Sequence, residues 1–213
     1  MQKFEVLIDT LLDNILLEVL NSKTRFEGSQ FNIKNVTNNS VDYKKVLSEN
    51  YTLKDVCRLG QGVFYNMYTW NKRLNEKINL RSSTTLLGDK YFLGTNDEKE
   101  ILNKKDSDLR LNLHADYTDD FINKIRLDNI KYLASTKLPD KVEFIMFINI
   151  DDGEFKVIDH YNRTYSTNFI TKSIGDDDGL NYAIIQANKA SLIDIFCLGI
   201  LACQDSIYKD NLH

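Results

Sequence analysis

Residues 138–160 place acidic and basic side chains at a spacing that suits metal-dependent chemistry. Pro139-Asp140 is followed further along the chain by Glu154-Phe155-Lys156. A divalent cation needs two or more oxygen ligands within a few ångströms, and a lysine beside it helps to position the attacking water. These residue types therefore favour hydrolysis at a metal centre, provided that the fold brings Asp140 and Glu154 together.

The turn signal inside this stretch argues against that convergence. Asp152-Gly153 between two apolar segments predicts a tight hairpin, with residues 142–150 as its first strand and residues 154–160 as its return strand. Glu154 would then lie at the tip and Asp140 at the far end, about 36 Å away at roughly 3.3 Å per residue. The hairpin interpretation predicts that this pair of acids does not bind one metal ion.

A second set of candidate residues lies on the clearest strand pattern in the chain. Apolar and polar residues alternate over residues 108–117, which predicts a strand with one polar face. On that face His114 suits a general base near neutral pH, and Asp116 suits a metal ligand. Any half-exposed antiparallel strand also has a polar face, so both interpretations stay open.

The remaining periodic segments predict the elements that must position these residues. The predictions are an amphipathic helix over residues 3–21, a loop or weak hairpin over 24–50, a helix from Thr52 to about Asn79, short strands at 84–87 and 91–93, a helix from Thr118 to about Ser135, a strand at 182–186 and a helix from Asn188 to about Ile207. Together they predict the α/β (α+β) class, a mixed sheet flanked by helices in a single domain, with a mainly helical portion over residues 1–80.

Two of the predicted helices have features that bear on packing. Gly60-Gln61-Gly62 lies inside the helix that begins at Thr52, and it lacks the preceding strand and third glycine of a nucleotide-binding loop. A kink or a close helix contact is therefore predicted there. The last helix is apolar nearly all round, so we expect it to be deeply buried or to lie in an oligomer interface.

Composition and charge narrow the possible partners. The formal net charge is −4, and residues 136–213 contain 12 acidic and 7 basic side chains. The best candidates for contacts to phosphates are the clustered basic residues Lys72, Arg73, Lys77 and Arg81. A solvated helix end explains the same cluster.

Targeting and cysteine signals are weak. Cys57, Cys197 and Cys203 form no pair of the CxxC type, and their apolar surroundings predict buried structural thiols. The N-terminus has no basic region ahead of an apolar core, and the longest apolar run, residues 195–203, is too short for a bilayer span. The sequence predicts a soluble, cytoplasmic protein with no membrane partner.

The predicted order of strand, strand, helix, hairpin, strand and helix over residues 84–207 resembles the sheet of restriction-endonuclease-like proteins, the PD-(D/E)XK superfamily. In this resemblance Asp89 takes the place of the metal-binding aspartate, and the strand of His114 and Asp116 takes the place of the acid-x-lysine strand. The acid-x-lysine order itself is not present. The resemblance implies Mg²⁺ bound by Asp89 and Asp116, with His114 as general base.

Two functional hypotheses follow from the sequence. The first is a Mg²⁺-dependent endonuclease that acts on double-stranded DNA and forms a homodimer or higher oligomer through the apolar last helix. The alternative is a non-enzymatic interaction or assembly protein, for example a phage structural ring or connector component, or an inhibitor of a defence system. The acidic C-terminal third and the absence of a complete catalytic motif suit the alternative.

Overall fold

The computed structural model describes residues 2–9, 26, 29–38, 41–65, 115–148, 156–177 and 180–210. The strands in these ranges are β1 (Phe4–Asp9), β2 (Gln30–Asn38), β3 (Val41–Asn50), β4 (Val142–Phe147), β5 (Asn168–Asp177) and β6 (Leu180–Asn188). The helices are α1 (residues 53–65), α2 (Ala115–Asp128), α3 (Ile130–Leu133), α4 (Val157–Tyr165) and α5 (Leu192–Asp210). This α+β architecture confirms the predicted fold class.

The six described strands form two antiparallel sheets of three strands each. In the first sheet β3 lies between β1 and β2, and in the second β6 lies between β4 and β5. Two hairpins join neighbouring strands: Asn38 of β2 pairs with Val41 of β3, and Asp177 of β5 pairs with Leu180 of β6. The first hairpin confirms the weak hairpin predicted within residues 24–50.

The N-terminal segment is a strand, so the helix predicted for residues 3–21 is wrong over Phe4–Asp9; residues 10–21 lie outside the described ranges. Phe4, Val6 and Ile8 alternate along β1 and are buried. Phe4 and Ile8 fit a helical period as well as a strand period. Pairing with β3, which is distant in sequence, selects the strand.

The helix predicted from Thr52 is confirmed over residues 53–65, and its predicted continuation to Asn79 lies outside the described ranges. The N–H of Asp55 donates to Oγ1 of Thr52 at 3.1 Å, as the capping signal predicted. Val63 and Phe64 are buried on its inner face, in agreement with the predicted apolar positions.

The helix predicted from Thr118 to about Ser135 is present, but it begins and ends at other residues than predicted. It begins at Ala115, so residues 115–117 are helical and not the end of a strand. Alanine is the best helix former, and three residues are too few to distinguish the two periods. The predicted strands at 84–87, 91–93 and 108–114 lie outside the described ranges.

Asn129 interrupts this helix for a specific reason. Its side chain is fully buried and pairs with the backbone of β1, accepting the N–H of Leu7 at 2.6 Å and donating to the Leu7 carbonyl at 2.8 Å. It also donates to the Ile125 carbonyl at 2.7 Å. These bonds satisfy backbone groups at the edge of β1 that have no strand beside them among the described residues.

The hairpin predicted at residues 142–160 is contradicted where its second strand is described. The first strand is confirmed as β4, but β4 pairs with β6, and the predicted return strand is wrong over residues 157–160, which belong to α4. Val157, Ile158 and Tyr161 are buried on one face of α4, at helical spacing. The Asp152-Gly153 turn signal predicted a hairpin, whereas the helical spacing of these apolar residues indicates a helix.

The strand predicted at 182–186 is confirmed within β6, whereas β5 was missed. The sequence of β5, NFITKSIGDD, mixes polar residues and a glycine with few apolar ones, and a bulge falls between Thr171 and Ser173. An edge strand buries little of its surface, so its apolar alternation is weak. β5 is a strand because it pairs with β6, although its own sequence does not predict one.

The last helix is buried, as predicted, but within its own chain. It begins at Leu192, and its side chains from Leu192 to Ala202 are buried at nearly every position. Phe196 packs against Phe4 of β1, with ring centroids 6.3 Å apart. The hydrophobic core accounts for the apolar composition of α5, so this helix gives no reason to expect an oligomer interface.

The close helix contact predicted at Gly60 is confirmed, because α1 crosses α5 with a glycine on each side. A Cβ atom built on Gly60 would lie 1.9 Å from the carbonyl oxygen of Phe196. A Cβ atom built on Gly199 would lie 2.1 Å from the carbonyl oxygen of Cys57. Backbone therefore faces backbone at this crossing, and no side chain fits between the helices.

We expect Gly60→Ala and Gly199→Ala each to destabilise the protein by at least about 2 kcal/mol, because the added methyl must separate the helices. In an unobstructed helix the same change stabilises by about 1 kcal/mol, so the sign of the effect is itself the control. Urea denaturation measures it. A stabilising effect of either substitution would contradict the close crossing.

Candidate functional site

Most of the predicted site residues lie outside the described ranges. These are Asp89, His114, Lys72, Arg73, Lys77 and Arg81. Asp116 lies in the first turn of α2 and not on a strand. The strand face that the sequence predicted for it is therefore wrong at this residue, while its role in a metal site stays a prediction.

The separation of the two acids of the opening motif stays a prediction, because only one of them lies in the described ranges. Asp140 is exposed just before β4, Glu154 lies outside the described ranges, and Lys156 directly precedes α4. The long distance between Asp140 and Glu154 was expected from the hairpin. The hairpin no longer supports that expectation, because residues 157–160 of the predicted return strand belong to α4.

The described ranges contain no group of three or more His, Cys, Asp or Glu side chains that could hold a metal ion. The Mg²⁺ site predicted from Asp89 and Asp116 therefore stays a prediction.

The most extensive polar cluster lies where α5 meets α2 and α4. Asp194 of α5 forms a salt bridge with Arg126 of α2 and accepts a hydrogen bond from the hydroxyl of Tyr161 of α4 at 3.3 Å. Its other carboxylate oxygen accepts the Ser191 N–H at 2.8 Å and the Ser191 hydroxyl at 2.7 Å. One buried carboxylate thus joins three helices.

The reactive groups around Asp194 are held in their neutral forms. Burial raises the pKa of Tyr161 well above its ordinary value, and Cys197 and Asp194 add to this effect. Burial likewise raises the pKa of the Cys197 thiol. A thiol with a raised pKa is a poor nucleophile, so this cluster has the character of a structural junction.

A second ionisable contact lies nearer the surface. Nε2 of His160 on α4 lies 3.1 Å from Oδ2 of Asp119 on α2. The hydroxyl of Tyr165 donates to the backbone carbonyl of the same aspartate at 3.4 Å. The pair links α2 to α4, and both of its side chains are partly exposed. In the described ranges, the hydrogen bonds of the His160 and Asp119 side chains involve no nucleophilic group.

A surface with lysines around a tyrosine lies beside β3. Nζ of Lys45 and Nζ of Lys131 lie 5.3 and 5.0 Å from the ring centroid of Tyr132. Glu5 forms salt bridges at 2.9 Å to both Lys3 and Lys45. Burial opposes the ionisation of Glu5, but the two lysines outweigh it and lower the pKa of Glu5. This neutralisation weakens the surface as a phosphate-binding site.

The candidate functional site is the solvent-facing side of the second sheet, here called the outer face. Along β4 the buried residues Phe144 and Met146 alternate with more exposed ones, and Ala183, Ile185 and Ala187 are buried along β6. The outer face therefore consists of Glu143, Ile145 and Phe147 of β4, Tyr182, Ile184 and Gln186 of β6, and Ile170, Lys172 and Ser173 of β5.

Each of the three strands contributes an isoleucine to the outer face. Ile145 pairs directly with Ile184 across β4 and β6, and Ile170 lies on β5 opposite Gln186. Ile145 and Ile170 are 39% and 44% exposed. The solvated side of an antiparallel sheet is normally polar, so apolar side chains on each strand distinguish the outer face from an ordinary solvated sheet surface.

One ion pair crosses the outer face. Nζ of Lys172 on β5 bonds to the carboxylate of Glu143 on β4, which spans the intervening strand β6. Both side chains are nearly half exposed. The two residues come from the outer strands of the sheet, and their charged groups meet across β6.

Comparisons of this chain with family models, curated proteins and solved structures give no match. Among the helices of the described ranges, none combines the length and apolar character that crossing a bilayer requires.

Sequence reasoning missed both the Asp194 cluster and the outer face. The pattern Ser191-x-x-Asp194 is a local capping signal that could have located the start of α5, and Ser191 Oγ accepts the N–H of Asp194 at 3.1 Å. Nothing local links Asp194 to Arg126. The outer face was missed because β5 was missed.

We expect Arg126→Met to lower the free energy of unfolding by about 3–5 kcal/mol, because it leaves the buried Asp194 carboxylate without its countercharge. Lys124→Met, on the same helix, removes the more exposed salt bridge to Asp128 and should cost less than about 0.5 kcal/mol. Chemical denaturation of both variants tests this. Equal effects would show that Asp194 does not need Arg126.

Proposed function

We propose that the chain is a non-enzymatic interaction or assembly protein that binds another protein through the outer face. The observation that carries this proposal is the exposure of Ile145 and Ile170 on the same face of the sheet as Ile184. Burying such side chains contributes roughly 25 cal/mol for each Å² of apolar surface removed from water.

The internal polar groups support the same proposal. Asp194 is committed to contacts with Arg126, Tyr161 and Ser191, and the buried Asn129 is committed to β1. Both polar networks connect secondary-structure elements of the described ranges. A fold whose described polar networks are structural, with apolar side chains exposed on one sheet face, suits binding better than catalysis.

The endonuclease hypothesis, with double-stranded DNA and Mg²⁺, depends on Asp89, His114 and Asp116. No observation in the described ranges favours it over binding. Cleavage of plasmid DNA that requires Mg²⁺ and is lost in Asp116→Ala would support it and would contradict the proposed function.

A photo-crosslinking amino acid placed at Ile145 tests the proposed binding surface. In the full chain, mixed with extract of cells that carry its gene, we expect a discrete crosslinked product. The matched control has the crosslinker at Asn123, an exposed residue on α2 outside the outer face. The same product pattern at both positions, or none at Ile145, would contradict binding through the outer face.

A further inference from the structure

We propose that one end of the second sheet binds phosphate groups through three lysines. This lysine end consists of Lys137, Lys141 and Lys189, and all three residues are exposed. The inference goes beyond the proposed function, because the lysine end shares no residue with the outer face and takes a different class of ligand. That ligand is a phosphate group, carried by a small polyphosphate or by a single-stranded nucleic acid.

Two of the lysines lie beside each other because their strands are antiparallel neighbours. Lys141 directly precedes β4, and Lys189 directly follows β6. The start of β4 lies beside the end of β6, and the N–H of Lys141 donates to Oδ1 of Asn188 at 3.2 Å. Since Lys189 is the next residue after Asn188, both lysines lie at one end of the sheet.

The third lysine reaches the same end because the pairing continues beyond the two strands. The N–H of Leu138 donates to the carbonyl of Ala190 at 2.9 Å, and Lys137 forms an antiparallel bridge with Ser191. Along these two segments, Lys189 therefore lies between the levels of the two lysines on the opposite segment.

The backbone at two of the lysines adopts a conformation that favours glycine. The angle φ is 63° at Lys141 and 55° at Lys189. A Cβ atom makes this left-handed conformation sterically costly, whereas glycine adopts it freely. In the described ranges, Ser166 is the one other residue besides glycine with a positive φ. Residues held in this conformation cluster at binding and active sites, so the retention of lysine at both positions indicates a role for the side chains.

The positive charges of the lysine end are not neutralised by ion pairs. None of the salt bridges in the described ranges involves Lys137, Lys141 or Lys189. Asp140 is the one acid within residues 137–141 and 188–191, so these two segments have a net charge of +2. The lysine end therefore favours an anion.

An amide group adds a further hydrogen-bond donor. Oδ1 of Asn188 accepts the N–H of Lys141 and a bond of 3.1 Å from Nε2 of Gln186. Its amide nitrogen remains as a donor that no hydrogen bond in the described ranges uses. A terminal phosphate has three acceptor oxygens and a charge near −2, so it can accept bonds from several of these donors at once. A carboxylate has only two oxygens and one charge, which makes phosphate the better fit.

Glycine substitutions separate phosphate binding from folding. Lys141→Gly combined with Lys189→Gly removes two charges and also relieves the left-handed backbone. We expect the double variant to unfold at about the same urea concentration as the wild type, while its affinity for phosphate ligands falls about tenfold or more. Lys141→Gln with Lys189→Gln keeps a Cβ atom at both positions and should weaken binding to the same extent.

Two single variants are the matched controls. Ser166→Gly relieves the same backbone conformation and changes no charge, so it should leave the affinity unchanged. Lys34→Gln removes the charge of an exposed lysine on β2, and it should likewise leave the affinity within about twofold, because it makes no phosphate contact.

Fluorescence anisotropy of a short labelled oligothymidylate measures binding, and inorganic triphosphate is added as a competitor. With three phosphate contacts on a single strand, the logarithm of the affinity should fall against the logarithm of the salt concentration with a slope of about −2, reduced to about −0.7 in the double glycine variant. Displacement by triphosphate identifies a site for small polyphosphates. Binding of the oligonucleotide that triphosphate does not displace identifies the nucleic-acid backbone as the source of the phosphate.

Three results would overturn this inference. If the wild type binds neither ligand at low salt, there is no phosphate site. If the double glycine variant binds as tightly as the wild type, the ligand contacts another part of the chain. If polyglutamate competes as well as triphosphate at equal charge, the lysines do not select phosphate. None of these results affects the crosslink at Ile145, so the proposed function is tested separately.

Discussion

The burial of α5 on every side from Leu192 to Ala202 is the constraint on which the rest of the structure depends. Where a helix is buried on every side, each of its polar groups needs a hydrogen-bonding partner. Each neighbouring element that packs closely against its backbone also needs enough space. Asp194 meets the first condition through Arg126, Tyr161 and Ser191. Gly199 meets the second, because α1 contacts the backbone of α5 there.

This constraint explains how two small sheets share one core. A three-stranded sheet buries little surface alone. Here β1 of the first sheet packs against α5 through Phe4 and Phe196, while α4 packs against both α5 and β5. The buried side chains of both sheets belong to one hydrophobic cluster around α5. Asn129 attaches the edge of β1 to α2 and completes this arrangement.

The sequence predicted those elements whose own side chains determine their conformation. The start of α1 at Thr52, the strand β4 and the apolar helix α5 have a local cap or a clear period, and each is confirmed. β1 and β5 could not be predicted locally. β1 becomes a strand through pairing with β3, and β5 is an irregular edge strand that is ordered by β6.

The same distinction applies to the candidate site. A cluster such as Arg126 with Asp194 is assembled from separate helices, so no spacing in the sequence indicates it. The outer face required knowledge of β5, because its ion pair joins Glu143 to Lys172 across β6. Conversely, the acids at Asp140 and Glu154 were close enough in sequence to resemble a motif.

Surface and interior therefore have separate roles in this account. The described polar clusters of the interior hold helices and strands together, and the outer face has the exposed apolar side chains on which binding would depend. Both sheets contribute buried side chains to the one core that surrounds α5.

Native-state hydrogen exchange tests the shared core most directly. The slowest amides of β3, β6 and α5 are predicted to exchange with one common free energy that equals the free energy of global unfolding. If the amides of β3 open at a clearly lower free energy than those of α5 and β6, the first sheet is an independent unit and α5 does not unite the structure.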